Sequence, residues 1–276
     1  MTALRAGWRR GVVELRQSFT NGAELWAHFF WPLVMVVVLV FLRDRLFAGV
    51  SLGALALPSI LGMNAALGLV SMSQQLTADR EDGTLLRARA TPHGIPAYVI
   101  GKVVSVSATV VVDLVIFLVP ALLLVPALAV GDATTWLRVT ALLLLGLVAT
   151  LPLGAVLGSV FATPRAQGLL TVPILGVIAI SGIFYPVAAL AGWLQAVAQL
   201  FPFYWLGLGM RAALLPPSAV TVELGDSWRP AATILVLSAW AVAGLLLAPV
   251  VLRRTAERES GSRVTARRDR ALQRLG

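Results

Sequence analysis

The chain has 276 residues, of which 58% are apolar and only 13% charged; its mean hydropathy is +0.87 and its net charge +9. Soluble domains run nearer roughly 45–50% apolar and about 25% charged, so an ordinary water-soluble globule is excluded. Cysteine is absent, which removes disulfide scaffolds, thiol catalysis and thiolate metal sites. His28 and His93 lie too far apart to form a spaced metal motif. No G-x-x-x-x-G-K-[ST] occurs, so the chain has no P-loop of its own for ATP.

In chain order, residues 2–19 come first. Leu4, Trp8, Val12, Leu15 and Phe19 recur at helical steps and make one apolar stripe, while Arg5, Arg9, Arg10 and Arg16 cover much of the remaining surface. The pattern predicts an amphipathic helix in the headgroup layer, or more simply a basic anchor. Six apolar runs then follow, at about 26–42, 52–76, 103–130, 136–161, 168–190 and 231–252. Each is long enough to cross a hydrocarbon core of ~30 Å as a helix. An open strand there would leave its backbone unsatisfied. The fold class expected is an all-α polytopic membrane protein of six transmembrane helices. The membrane domain covers 1–252, and a basic cytoplasmic tail covers 253–276.

Seventeen of the 22 lysines and arginines fall at the two ends and in the loops after the second and fourth runs. The positive-inside rule places both termini in the cytoplasm. No cleavable signal peptide and no internal repeat are evident.

Between the second and third runs lies a polar stretch, Gln75 to Pro92. Gly83 breaks the incoming helix, Asp82 or Thr84 can cap a new one, and Leu85-Leu86-Arg87-Ala88-Arg89-Ala90 propagates it until Thr91-Pro92. A short helix suspended between two spans passes force into both of them; a solvated connector is the plainer reading. Two polar residues lie inside spans. Asp113, in the third, and Asn64, in the second, are candidates for a translocation path or for interhelical hydrogen bonds. Past the fifth run, Trp193, Val197 and Leu200 share one helical face in a segment rich in Trp, Tyr and Phe. That composition fits an aromatic belt at the membrane surface or an exit site for substrate. The eight arginines of the tail follow a span, so anionic lipid explains them better than nucleic acid.

These residues resemble a known family. The six-run layout, the leading amphipathic helix, Glu81-Asp82-Gly83-Thr84-Leu85 with Thr91-Pro92, and Gly101-Lys102 entering the third run are similar to the permease subunits of ABC-2-type transporters. So is the late stretch carrying Ser181-Gly182, Pro186, Trp193, Pro202 and Arg211. Ala191-Gly192 departs from the Leu-Pro pair common before that Trp. Among such permeases the chain looks most like the daunorubicin-resistance type.

The resemblance implies a bacterial inner-membrane exporter of a hydrophobic or amphipathic compound: a drug, a lipid or a lipid-linked glycan. ATP and Mg would then sit on a separate ATPase subunit, with no cofactor, metal or catalytic residue on this chain. A second permease, identical or related, would complete the pathway. Glu81, Asp82, Gly83, Thr84, Leu85 and Arg87 would form the helix that couples to the ATPase, and the amphipathic helix would add to that contact. The alternative is a secondary transporter that uses Asp113 as a proton or cation site. An intramembrane enzyme finds no support, since neither G-x-S-x-G nor a His/Asp/Glu cluster occurs.

Overall fold

An apolar chain segment in hydrocarbon must close its hydrogen bonds within itself, and the computed structural model is accordingly almost entirely helical. It describes residues 2–258 apart from positions 48, 92, 93, 126, 127, 129, 130, 162 and 184. Pro92, His93 and the basic tail beyond 258 therefore lie outside the described residues.

The helices are α1 (Ala3–Thr20), α2 (Gly22–Leu42), α3 (Leu52–Glu81), α4 (Thr84–Arg89), α5 (Gly94–Leu124), α6 (Ala133–Val160), α7 (Pro164–Ile180), α8 (Gly192–Leu200), α9 (Pro202–Leu214) and α10 (Pro230–Arg258). Their starts follow the sequence chemistry. Ser51, Asp132 and Thr163 accept the first free amides of α3, α6 and α7, from Ala54, Thr134 and Ala166. Proline stands at the first position of α7 and α9, where its missing N–H costs nothing. A two-residue antiparallel hairpin, β1 (Leu46–Phe47) and β2 (Val50–Ser51), joins α2 to α3 with Leu46 opposite Ser51.

Among the described residues, five helices are long and apolar enough to cross a membrane: α2, α3, α5, α6 and α10. The fifth apolar run departs from expectation. Instead of one span over 168–190, α7 stops at Ile180 after 17 residues. Ser181 turns its hydroxyl onto the carbonyl of Val177, and Gly182 follows with φ +72°, a left-handed conformation that ends the helix. The third run also shifts. Its helix begins at Gly94, nine residues before the apolar stretch, and is assigned no further than Leu124.

Helix α3 is the centre of the fold, buried over most of its length among α2, α5, α6 and α9. Small residues allow the close approach. A Cβ on Gly62 would meet the backbone of Leu206 and Gly207 of α9 at 2.8 Å, and one on Gly158 would meet the Ser73 carbonyl at 2.6 Å. Side-chain hydrogen bonds add direction. Thr150 of α6 donates to the carbonyl of Ala65 at 3.2 Å, and Ser73 donates to Gln167 of α7 at 2.9 Å.

The aromatic-rich segment is likewise rearranged. α9 is a buried helix whose Phe203, Tyr204 and Trp205 are packed inside the protein rather than in a surface belt. Trp193 of α8 does remain exposed. Hydropathy cannot separate an apolar side chain facing lipid from one facing protein, and α9 is the second kind.

Candidate functional site

The loop between α3 and α5 builds a short, firmly seated helix. At its entry Gly83 has φ +76°, a conformation a side chain disfavours, so the turn from α3 into α4 is made by the residue that costs least there. Asp82 accepts the amide N–H of Thr84 at 2.8 Å and caps α4. Arg87 donates to the Thr84 hydroxyl at 2.9 Å one turn later. Leu85 and Ala88 are buried against the bundle, while Glu81, Asp82 and Arg87 face solvent. The six residues singled out in sequence thus divide into one anchor, Leu85, two geometry-setting residues, Gly83 and Thr84, and three exposed charged groups.

Behind α4 lies a polar network that the sequence did not announce. Lys102, the single lysine, has a side chain only 7% exposed on α5. Its ammonium contacts Asp79 of α3 at 2.9 Å and Glu14 of α1 at 3.1 Å, and donates to Gln75 at 3.4 Å. Tyr98 donates to the same Asp79 carboxylate at 2.7 Å. Arg10 stacks over the Tyr98 ring at 4.7 Å and pairs with Glu14 at 2.8 Å. One buried cation therefore ties α1, α3 and α5 together beside α4. Next to it a polar cavity of about 750 Å³ is lined by α1, α2, α3 and α5 and by Asp82 and Thr84 at the mouth of α4.

α1 reaches that network through its glycine face. Gly7 and Gly11 are the buried residues of the helix. A Cβ on Gly11 would stand 2.7 Å from the Gly101 carbonyl and from Val104, and one on Gly7 would stand 2.7 Å from Ile100. The small-x-x-x-small pair Gly7/Gly11 meets a matching pair, Ala97/Gly101, and the two helices run side by side. Leu4, Trp8 and Val12 are left exposed on the outer face. Leu15 is half-buried, and Phe19 turns inward to stack on His28, ring centroids 4.8 Å apart. The predicted stripe is thus open at its start and docked at its end.

Of the two intramembrane candidates, Asp113 is placed by an interhelical contact. The Nδ1 of His28 on α2 lies 2.7 Å from its carboxylate, and the Nε2 lies 3.3 Å from the Ser18 hydroxyl of α1. Asn64 returns its amide to the Ile60 carbonyl of its own helix at 3.0 Å and forms no hydrogen bond with Asp113.

At the opposite end of the bundle, Gly182 and Arg211 come together. Arg211 of α9 has a side chain 3% exposed; it donates to Glu223 at 2.5 Å, to the Ser59 hydroxyl at 2.7 Å and to the Gly182 carbonyl at 3.2 Å. It locks α3, the end of α7 and α9 together. Glu223, its counter-ion, was not singled out in sequence. Pro186 opens a 3₁₀ turn at Val187–Ala189, Pro202 starts α9, and Trp193 stands apart from the cluster on the exposed face of α8.

Apolar helices around a buried central one, with polar clusters at both ends and a short seated helix between two spans, define an all-α, multi-pass membrane protein. A family model described as ABC-2 family transporter protein matches residues 47–249, and the chain belongs to that family. It is a membrane transport component, with α1 and α2 preceding the matched stretch. A search of curated proteins finds no match.

Proposed function

We propose that this chain is the permease subunit of an ATP-driven exporter that moves a hydrophobic or amphipathic compound out of the cytoplasm or the inner leaflet. ATP hydrolysis takes place on a separate nucleotide-binding subunit, and a second permease, a copy or a relative, completes the pathway. In this reading both termini and α4 are cytoplasmic in a bacterial inner membrane, and efflux of an antibiotic-like compound is one form the activity takes.

The observation that carries the proposal is the build of α4. Leu85 and Ala88 fix it to the bundle, while Glu81, Asp82 and Arg87 present charge outward. Such a helix can hold an ionic contact with a soluble subunit and hand any displacement to α3 and α5 without deforming. α1, clamped to α5 and reached by Lys102 through Glu14, adds a second surface to the same contact.

The test is purification of the tagged chain from its host in mild detergent, with ATPase assay and mass spectrometry of what accompanies it. Charge reversal at exposed positions, Glu81→Lys with Arg87→Glu, keeps the buried anchor Leu85 intact. A Walker-motif ATPase that accompanies the parent chain and is lost from this variant is the expected result. If no ATPase accompanies the parent chain, the proposal fails, and ion-driven transport through Asp113 becomes the reading to test with Asp113→Asn.

A further inference from the structure

The end of the bundle opposite α4 carries a lateral groove that the transport reading does not use. It lies between α6, α9 and α10, has a volume of about 650 Å³, and is floored by Ala141, Gly209, Ala212 and Ala213. Leu142, Leu145 and Ile234 make its walls. Among the described residues its polar lining is confined to three side chains. Thr233 is satisfied by the Arg229 carbonyl at 3.2 Å. The other two are donors only: the Arg138 guanidinium, exposed, and the Trp228 indole N–H. Neither has a hydrogen-bond or ion-pair partner among the described residues. Asp132, at the cap of α6, feels the field of Arg138 but forms side-chain hydrogen bonds with Thr134. Among the described residues, no carboxylate lines the groove.

Position and size narrow the occupant. Arg138 lies six residues inside the cap of α6, so it sits about 9 Å from that end, within reach of a headgroup layer for a side chain that snorkels. From Arg138 to Leu145 the groove runs roughly 10 Å along α6. The volume falls within the range of small-ligand sites, about 300–1,000 Å³, which has room for an acyl chain. Apolar floor, donor-only rim and absence of acid together select an amphiphile with an anionic head.

We infer that the groove holds one acyl chain of an anionic glycerophospholipid from the leaflet opposite α4, its phosphate bound by Arg138 and Trp228. The lipid lies over the seam where Leu142 of α6 and Thr233 of α10 close on Gly209 of α9.

Trp228 supplies the reporter. The full-length chain is reconstituted in phosphatidylcholine vesicles that carry a fixed minor fraction of dibrominated phosphatidylglycerol or of dibrominated phosphatidylcholine. The Trp228 signal is taken as the difference between the parent and Trp228→Phe. A single arginine near a membrane surface gives a preference for the anionic lipid of about fivefold, seen as stronger quenching at equal bromolipid content. Arg138→Gln is expected to abolish the preference. Arg45→Gln, which removes one charge from the same end outside the groove, leaves it intact. Equal quenching by the two lipids in the parent overturns the inference, as does an equal loss in the Arg45 variant, which would assign the preference to bulk charge. A Trp228 that neither lipid quenches means that a protein surface, such as a second copy, covers the groove, and that also refutes it.

Discussion

Lys102→Met is the most informative perturbation of the network behind α4. The ammonium sits between two carboxylates, Asp79 at 2.9 Å and Glu14 at 3.1 Å, whose side chains are 14% and 20% exposed. Removing one partner of a buried ion pair costs about 3–5 kcal/mol, chiefly because the remaining charge is left without compensation. Here the cost is smaller, about 2–3 kcal/mol, since Glu14 lies on α1 and can swing into water while Arg10 still holds its other oxygen. Relief comes by lifting α1 away from α5, so the variant shifts the docking equilibrium of α1 while the bundle stays folded. The chain contains no cysteine, so a single engineered thiol reports alone. Ser105→Cys places it on the cavity wall, in a residue buried beside α1. Its maleimide labelling is expected to accelerate roughly 30- to 150-fold when Lys102→Met is added, the factor corresponding to about 2–3 kcal/mol. Adding Asp79→Asn removes the more buried of the two stranded charges and returns the rate most of the way. A labelling rate that Lys102→Met leaves unchanged, or a triple variant no slower than the double, would refute the reasoning and mean that helix packing alone docks α1.

Other outcomes follow from the same geometry. Arg211→Met strands Glu223 in the interior and is expected to destabilise by about 3–5 kcal/mol in detergent unfolding, whereas Arg211→Met with Glu223→Met recovers a large part of that loss. Gly83→Ala forces a side chain into a left-handed position and costs about 1 kcal/mol, detectable as faster amide exchange over Thr84–Ala88 with the rest of the chain unaffected. Gly154→Ala drives a methyl group into the Leu69 carbonyl and is expected to lower folded yield sharply, while Gly176→Ala, which meets open space, leaves it unchanged; monodisperse material on size-exclusion chromatography is the readout.

Some of this architecture could be read from composition and some could not. The apolar stretches at 26–42, 52–76 and 231–252 each fall within a helix, and 136–161 does so up to its cap at Phe161, because a run of that length in hydrocarbon has no other way to satisfy its backbone. Gly83, between an acid and a Thr, was equally legible as the entry to α4. The 168–190 run hides its break, since Ile183, Val187 and Leu190 continue the apolar composition of α7 past Ser181-Gly182 and hydropathy averages across it. The Gly7/Gly11 and Ala97/Gly101 spacings were visible in the sequence, but an apolar stripe on the other face of α1 drew the reading toward lipid. The partners of Lys102 and Arg211 were beyond reach. They come from segments up to 88 and 152 positions away, and only the fold brings the charges together.

Helix α3 takes part in both polar clusters. Ser59 lies near one end and Asp79 near the other, twenty residues apart, or about 30 Å of continuous helix. A rigid helix buried on nearly every side moves as a body, so a displacement imposed at α4 arrives at Arg211 with little loss. Ser59→Ala tests whether that connection is made by the hydrogen bond or by packing. It leaves Arg211 paired with Glu223 and Gly182 but removes its contact with α3, a change worth about 1–3 kcal/mol while the guanidinium stays buried. If the bond makes the connection, amide exchange over Leu206–Leu214 of α9 accelerates roughly 5- to 150-fold while protection of α4 is untouched. Unchanged protection in α9 would assign the connection to the close approach of Gly62 to Leu206 and Gly207 instead.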